Sequence, residues 1–230
     1  MDSNHKFWNQ EQQLLRCFLS RKQDYASAVE FALRQHAMVH AESMSHCGLW
    51  SFEDEVLAGL TDNDFRIIPA SGEHSIAWIL WHIARVEDVT MNVLIEGRPQ
   101  ILHSGNWLAR IQSPIQHTGN AMDMAAVQAF SAAIDMEALH AYRIAVGRQT
   151  REIIQHLPED VFKQKVDPTR LQHLRDAKYV LPEAEEILAY WGNQTVAGLL
   201  LMPATRHCFL HLNEAARLRK KLTSHHKSLR

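Results

Sequence analysis

The sequence predicts an all-α fold, an antiparallel four-helix bundle with extra short helices, and three observations predict it. Only 9 Gly and 7 Pro interrupt 230 residues. Long stretches are rich in the good helix formers Ala, Leu, Glu, Gln and Arg, and apolar residues recur at helical rather than alternating spacing.

Residues 1–22 read as an N-terminal arm or short helix. From Gln23 to about Ser45, Ala26, Val29, Leu33, Ala37 and Met44 keep helical spacing. Ser51, followed by Phe-Glu-Asp, offers an N-cap with an acidic first turn, opening a short helix that ends near Gly59. Pro69 and Gly72 make Asp62–Gly72 a predicted loop. A strong helix is predicted from Glu73 to Ile95, closed by Gly97 and Pro99, with Trp78, Ile79, Ile83, Val86, Val89 and Val93 on its apolar face. Gly, Ser, Pro, Asn and His then dominate Gln100–Met122, the longest candidate loop. A loop of that length inside a compact domain is often functional, and this one is predicted to form a lid or pocket wall.

Another long helix is predicted from Met124 to Leu157, with Val127, Phe130, Ile134, Leu139, Tyr142, Val146 and Ile153 along its stripe and Pro158 at its end. Residues 159–179 read as a partly irregular connection. Pro182 and the acids after it open a helix that is interrupted near Gly192 and Gly198. Pro203 starts or kinks the last helix, which is predicted to run to about Leu222 with Arg217, Arg219, Lys220 and Lys221 at the negative end of its dipole. Three long helices and this terminal one form the bundle over residues 23–222, and residues 223–230 are predicted to be a flexible tail.

Composition excludes several functions. Lys and Arg number 24 against 26 Asp and Glu, a net charge of −2, so the basic excess of a nucleic-acid binder is missing. The apolar runs Ile76–Trp81 and Val196–Met202 are too short to span a bilayer. The opening MDSNHKFWN has no apolar core, so a signal peptide is not expected. Cys17, Cys47 and Cys208 are odd in number and scattered, which fits a reducing, cytoplasmic location rather than a disulfide framework.

Histidine is the unusual residue, at 15. Two pairs have HxxxH spacing, His36/His40 and His207/His211, which on a helix places both imidazoles on one face within reach of one metal ion. The second pair continues through Leu200, Ala204, Glu214 and Leu218. Glu214 is therefore a candidate ligand, outer partner of His211 or catalytic base. His82 falls on the face of Trp78, Val86, Val89 and Val93, where a buried imidazole needs either hydrogen-bond partners or a metal. His82, His207 and His211 together offer three nitrogens, with room for a bound water of lowered pKa. His36 lies in a more polar stretch, beside Arg34 and Gln35, and stays unassigned with His40.

Other patterns point away from known chemistry. HExxH, P-loop and GxGxxG motifs are missing from the sequence, and one Glu-x-x-His, Glu137 to His140, reads as a surface pair rather than half of a di-iron site. Cys208 reads as a packed thiol. Glu87 and Asp88 read either as groups that orient the site, Glu87 as a base, or as ion-pair partners of an arginine such as Arg85 or Arg206.

Ser75-Ile-Ala-Trp-Ile-Leu-Trp-His-Ile-Ala-Arg-Val-Glu-Asp, followed far downstream by Met202-Pro-Ala-Thr-Arg-His-Cys-Phe-Leu-His-Leu-Asn-Glu, resembles the DinB/YfiT-like superfamily. Gly119-Asn-Ala-Met, Tyr142-Arg-Ile-Ala-Val-Gly and Tyr190-Trp-Gly are similar to intervening blocks of one of its branches, and the resemblance covers roughly Gln23 to Leu222. It implies an up-down-down-up four-helix bundle, often dimeric, and a divalent metal, zinc or nickel, held by His82, His207 and His211. It also implies a small-molecule substrate, with either a low-molecular-weight thiol in S-transfer or water in hydrolysis. Neither nucleic acid nor membrane is expected as a partner. The alternative expectation is a non-catalytic metal-binding or stress-associated bundle, its fourth position closed by Glu214 or another side chain, or a metal-free bundle with polar core histidines.

Overall fold

Ile76–Asp88 carries apolar residues around most of its circumference, and such a helix must be surrounded by protein. In the computed structural model, which describes residues 3–21, 24–69 and 74–228, all of its residues are buried. The elements before it wrap its flank. Helix α1 (Ser3–Leu19) packs on α2 (Tyr25–Met38) and buries Trp8 and Leu15. The Trp8 ring stacks on Phe209 with centroids 3.9 Å apart, so the N-terminal helix reaches the core formed by the C-terminal one. The backbone leaves α2 at Val39 and makes one more turn, α3 (Glu42–Ser45), so the helix predicted from Gln23 to Ser45 is two pieces. Gln23 itself lies outside the described residues.

Helix α4 (Phe52–Leu57) starts as predicted, with Ser51 Oγ accepting from the Asp54 N–H at 3.0 Å. Helix α5 (Asp62–Arg66) stands where a loop was expected, because Thr61 and Asp64 form a reciprocal capping box. The predicted start at Glu73 lies outside the described residues. Ser75 instead caps the central helix, α6 (Ile76–Asp88), which continues through a π-helical segment, Val89–Glu96, to Gly97. Two short helices, α7 (Ile101–Ser104) and α8 (Trp107–Ile111), then correct the predicted Gln100–Met122 loop.

The long helix predicted from Met124 to Leu157 is α9 (Met124–Ala133) and α10 (Met136–His156). Ile134 turns extended and Asp135 caps a new helix, accepting from the Ala138 N–H at 2.8 Å. The stretch read as irregular holds a 3₁₀ turn, Val161–Lys163, and α11 (Pro168–Asp176), opened by Asp167 and Pro168. After a second 3₁₀ turn, Pro182–Ala184, come α12 (Glu185–Gly192) and α13 (Val196–Leu201). The interruption falls at residues 193–195, and Gly198 lies within α13.

Pro203 sits in a second π-helical segment, Met202–Arg206. Its missing N–H frees carbonyls upstream, and Thr205 Oγ1 donates to those of Leu200 and Leu201 at 2.9 and 3.1 Å while Gln12 Nε2 donates to Leu201 at 2.9 Å. Helix α14 (His207–Ser228) runs past the predicted end at Leu222, and residues 229 and 230 lie outside the described residues.

Both α10 and α14 pack on α6, and α2 packs on α10. Two buried clusters meet at α6, one around Trp81, Phe130, Tyr142 and Leu212, the other around Leu15, Val86, Leu94 and Leu199. The protein is all-α: among the described residues strand-like pairing is confined to one isolated bridge, Lys165–Thr195. No helix among them is long and apolar enough to cross a membrane.

Candidate metal centre

His82 sits mid-way along α6, and His207 and His211 begin α14, which packs against it. The crossing brings the three imidazoles together: one nitrogen from each lies within 4.8 Å of the others, and His82 Nε2 is 3.2 Å from His207 Nε2.

The outer nitrogens are largely spoken for. His82 Nδ1 donates to the Thr118 carbonyl at 2.7 Å, which leaves the Nε2 lone pair facing the group. His211 Nδ1 lies 3.1 Å from Glu214 Oε2, and the other Glu214 oxygen is 3.5 Å from His74 Nδ1. His207 Nδ1 is buried without a partner among the described residues. Trp78 stacks between His74 and His82, its centroid 3.7 and 4.6 Å from theirs. Gly119 turns beneath it at φ +86°, and a Cβ there would stand 3.0 Å from Trp78 Nε1.

Charge at the site follows burial. Burial, reinforced by His211, holds the His82 imidazole down to about 3, against the pull of its hydrogen bond to Thr118. Burial and then His82 hold His207 well below its ordinary value. Burial works to raise Glu214, but hydrogen bonds with His211 and His74 bring it down to about 2, so it stays a carboxylate. The neutral His82 ring turns its Nε2 lone pair to the group, the neutral His207 ring stands 3.2 Å from it, and a carboxylate backs the third ring. Such a donor set fits a first-row divalent cation, with Thr118 and Glu214 as the outer partners that fix ring tautomer.

Residues 53–215 match the DinB superfamily, a span that takes in all three histidines and leaves out His36 and His40. The chain belongs to the DinB superfamily. No curated protein matches it.

In this DinB-superfamily chain a cleft of about 140 Å³ opens on His82 and His207, walled by Val86, Ile187, Tyr190, Trp191, Met202 and Pro203. Asn120 also lines it, and its Oδ1 accepts from Thr118 Oγ1 at 2.7 Å, which leaves the amide NH₂ as a donor. The Gln100–Met122 stretch therefore reaches the site as a wall at Thr118–Asn120.

The other sequence candidates sort out differently. Glu87 does not face these histidines: it is fully buried against His36 and His40, which removes it as a base here. Asp88 pairs with Arg85 at 3.0 Å. His140 pairs with Glu53 at 3.3 Å rather than with Glu137. Cys208 is a packed thiol, pushed up to about 12 by burial. Sequence reasoning missed His74, although His74, Trp78 and His82 recur at four-residue spacing. It also missed Thr118, which acts through its backbone carbonyl and leaves no side-chain signal.

Proposed function

We propose that this DinB-superfamily protein is a metal-dependent enzyme, folded as an up-down-down-up four-helix bundle. His82, His207 and His211 hold one divalent ion, zinc or nickel, and a low-molecular-weight thiol or a water attacks a small-molecule electrophile in the adjoining cleft. The observation that carries this reading is the cleft itself, whose lining includes two of the three proposed ligands. A bound divalent ion supplies a lowered pKa to a coordinated thiol or water and polarises an electrophile's oxygen.

The chain's own residues do the rest. The Thr118 carbonyl holds the His82 tautomer, and Glu214 holds His211 and anchors His74. With its carboxyl near 2, Glu214 suits this positioning role better than that of a proton acceptor at neutral pH. The Asn120 amide donates to a substrate oxygen, and Trp191 and Ile187 give the cleft apolar wall for the rest of the substrate. The proposed ligand group has three members among the described residues, since Glu214 is turned to His211 Nδ1. That supports a site with a position left for a reactant. The alternative, a non-catalytic metal-binding or stress-associated bundle, needs a fourth side chain to close it. The three free cysteines support a cytoplasmic protein, and the family resemblance supports a homodimer.

Metal content and a turnover screen test the reading. His211→Ala is expected to hold one ion fewer per chain than the wild type; equal content in both overturns the ligand set. Small electrophiles are then offered to the metal-loaded wild type with and without small thiols. Thiol-dependent turnover marks a transferase, thiol-free turnover a hydrolase, and none in any combination refutes the enzyme reading.

A further inference from the structure

A second group of ligand-type side chains lies where α2 meets α6, unused by the reading above. His36 is near the end of α2 and His40 follows one turn later, and both rings are fully buried. His36 Nε2 lies 2.7 Å from one Glu87 carboxylate oxygen and His40 Nε2 lies 2.9 Å from the other. One ligand atom from each of the three is within 4.8 Å of the others. The two rings lean together at 4.3 Å between centroids. Gly147 on α10 makes room for them, since a Cβ there would stand 2.8 Å from His40 Nδ1. Neither Nδ1 has a hydrogen-bond partner among the described residues, so Glu87 is what each imidazole meets.

The charges around Glu87 are unevenly paired. A buried carboxylate is costly unless it is paired. Asp88 is matched by Arg85 at 3.0 Å, and Glu53 by Arg143 Nε at 2.5 Å. What remains for Glu87 is the far edge of that same Arg143, at 3.9 Å. Arg151, whose charge is felt at His36, is held by the Leu33 carbonyl at 2.7 Å, so among the described residues no guanidinium pairs with Glu87 alone at close range, and its close contacts are two imidazoles. Two donors at right angles on one first-row ion, each about 2.0–2.1 Å from it, stand about 2.9 Å apart. The two nitrogen–oxygen separations of 2.7 and 2.9 Å are hydrogen-bond distances that equal this right-angle spacing, and a tetrahedral zinc would open them to about 3.3 Å.

We propose that His36, His40 and Glu87 form a second metal site, in which a first-row divalent cation cross-links α2 to α6. The site shares no residue with the His82, His207 and His211 group and does not depend on it. Its two imidazoles precede the family match at residues 53–215, while Glu87 lies within it. All three side chains have zero exposure, so no substrate reaches the ion. Its role is structural, and it is taken up as the chain folds.

The test uses the full chain carrying His82→Ala, His207→Ala and His211→Ala, refolded with zinc, dialysed, checked by circular dichroism and counted for metal. One zinc per chain is expected, with an X-ray absorption spectrum showing imidazole scattering, and the zinc is lost when His40→Asn is added. No zinc in the triple variant, or zinc kept after His40→Asn, overturns the site and leaves a metal-free His–Glu–His hydrogen-bond clamp. Should the fourth substitution prevent folding, the spectrum of the triple variant decides alone, and a shell without imidazole overturns the proposal. Neither result touches the function proposed above, which is read from His211→Ala in the otherwise natural chain.

Discussion

Each imidazole of the candidate centre is only as useful as the group behind it. Spacing alone marks His207 and His211 as a pair, because four residues bring side chains onto one helical face. Spacing cannot show that Thr118 and Glu214 fix the outer nitrogens, since one acts through a carbonyl and the other needed the fold to choose among ligand, base and anchor. The anchor role has a direct test. Glu214→Gln keeps an oxygen for His211 but removes the charge that makes the ring a better donor. Loss of such an outer partner typically weakens metal affinity about 10–100-fold. Competition against a chelator should show that drop, and the metal-free variant should also unfold at a lower urea concentration at pH 7, because the carboxylate's pairing with His211 and His74 is gone. Unaltered affinity would remove Glu214 from the site.

Helical periodicity was legible through the sequence, whereas helix ends were legible only where a cap stood out. Ser51 and Gly97 were visible as a start and a stop. The stripe Val127, Phe130, Ile134 and Leu139 runs straight across the break between α9 and α10, because both helices bury the same side against the core. What breaks the helix is Asp135, which satisfies the Ala138 N–H better as a cap than as an interior residue. Asp135→Ala should therefore cost about 1 kcal/mol in urea unfolding, with metal content unchanged. A neutral or stabilising result would mean that α9 and α10 gain nothing from this cap. The π-helical segments were hidden for a related reason: Pro203 announced a kink, but its accommodation depends on Thr205 and on Gln12 from the other end of the chain.

Across the whole molecule, the buried ionisable groups set how the fold meets acid. Burial holds His36 to about 4 and His82 to about 3, below the ordinary 6.5. An unfolded imidazole therefore binds a proton near pH 6 that these two refuse, so the unfolded chain carries more protons and stability drops as the pH is lowered. The loss begins at about 6.5 and, at pH 5, is on the order of 2 kcal/mol for each of the two groups. His207 is depressed as well and adds in the same direction. His140, raised by its hydrogen bond to Glu53, works the other way, its contribution full in acid and fading as pH rises through its folded value. A second stage follows below about 4.5, where Glu87, Glu53 and Glu214, all depressed, lose theirs; burial opposes each shift, and it is His40, Arg143 and His211 respectively that overcome it. Protein refolded with chelator should thus be less stable by 2–4 kcal/mol or so at pH 5 than at pH 7, measured by urea denaturation at matched ionic strength. Equal or greater stability at pH 5 would mean that the imidazoles are not held neutral. Metal-loaded protein should lose more over the same interval, because bound ions require neutral imidazoles and are released as the ligands protonate.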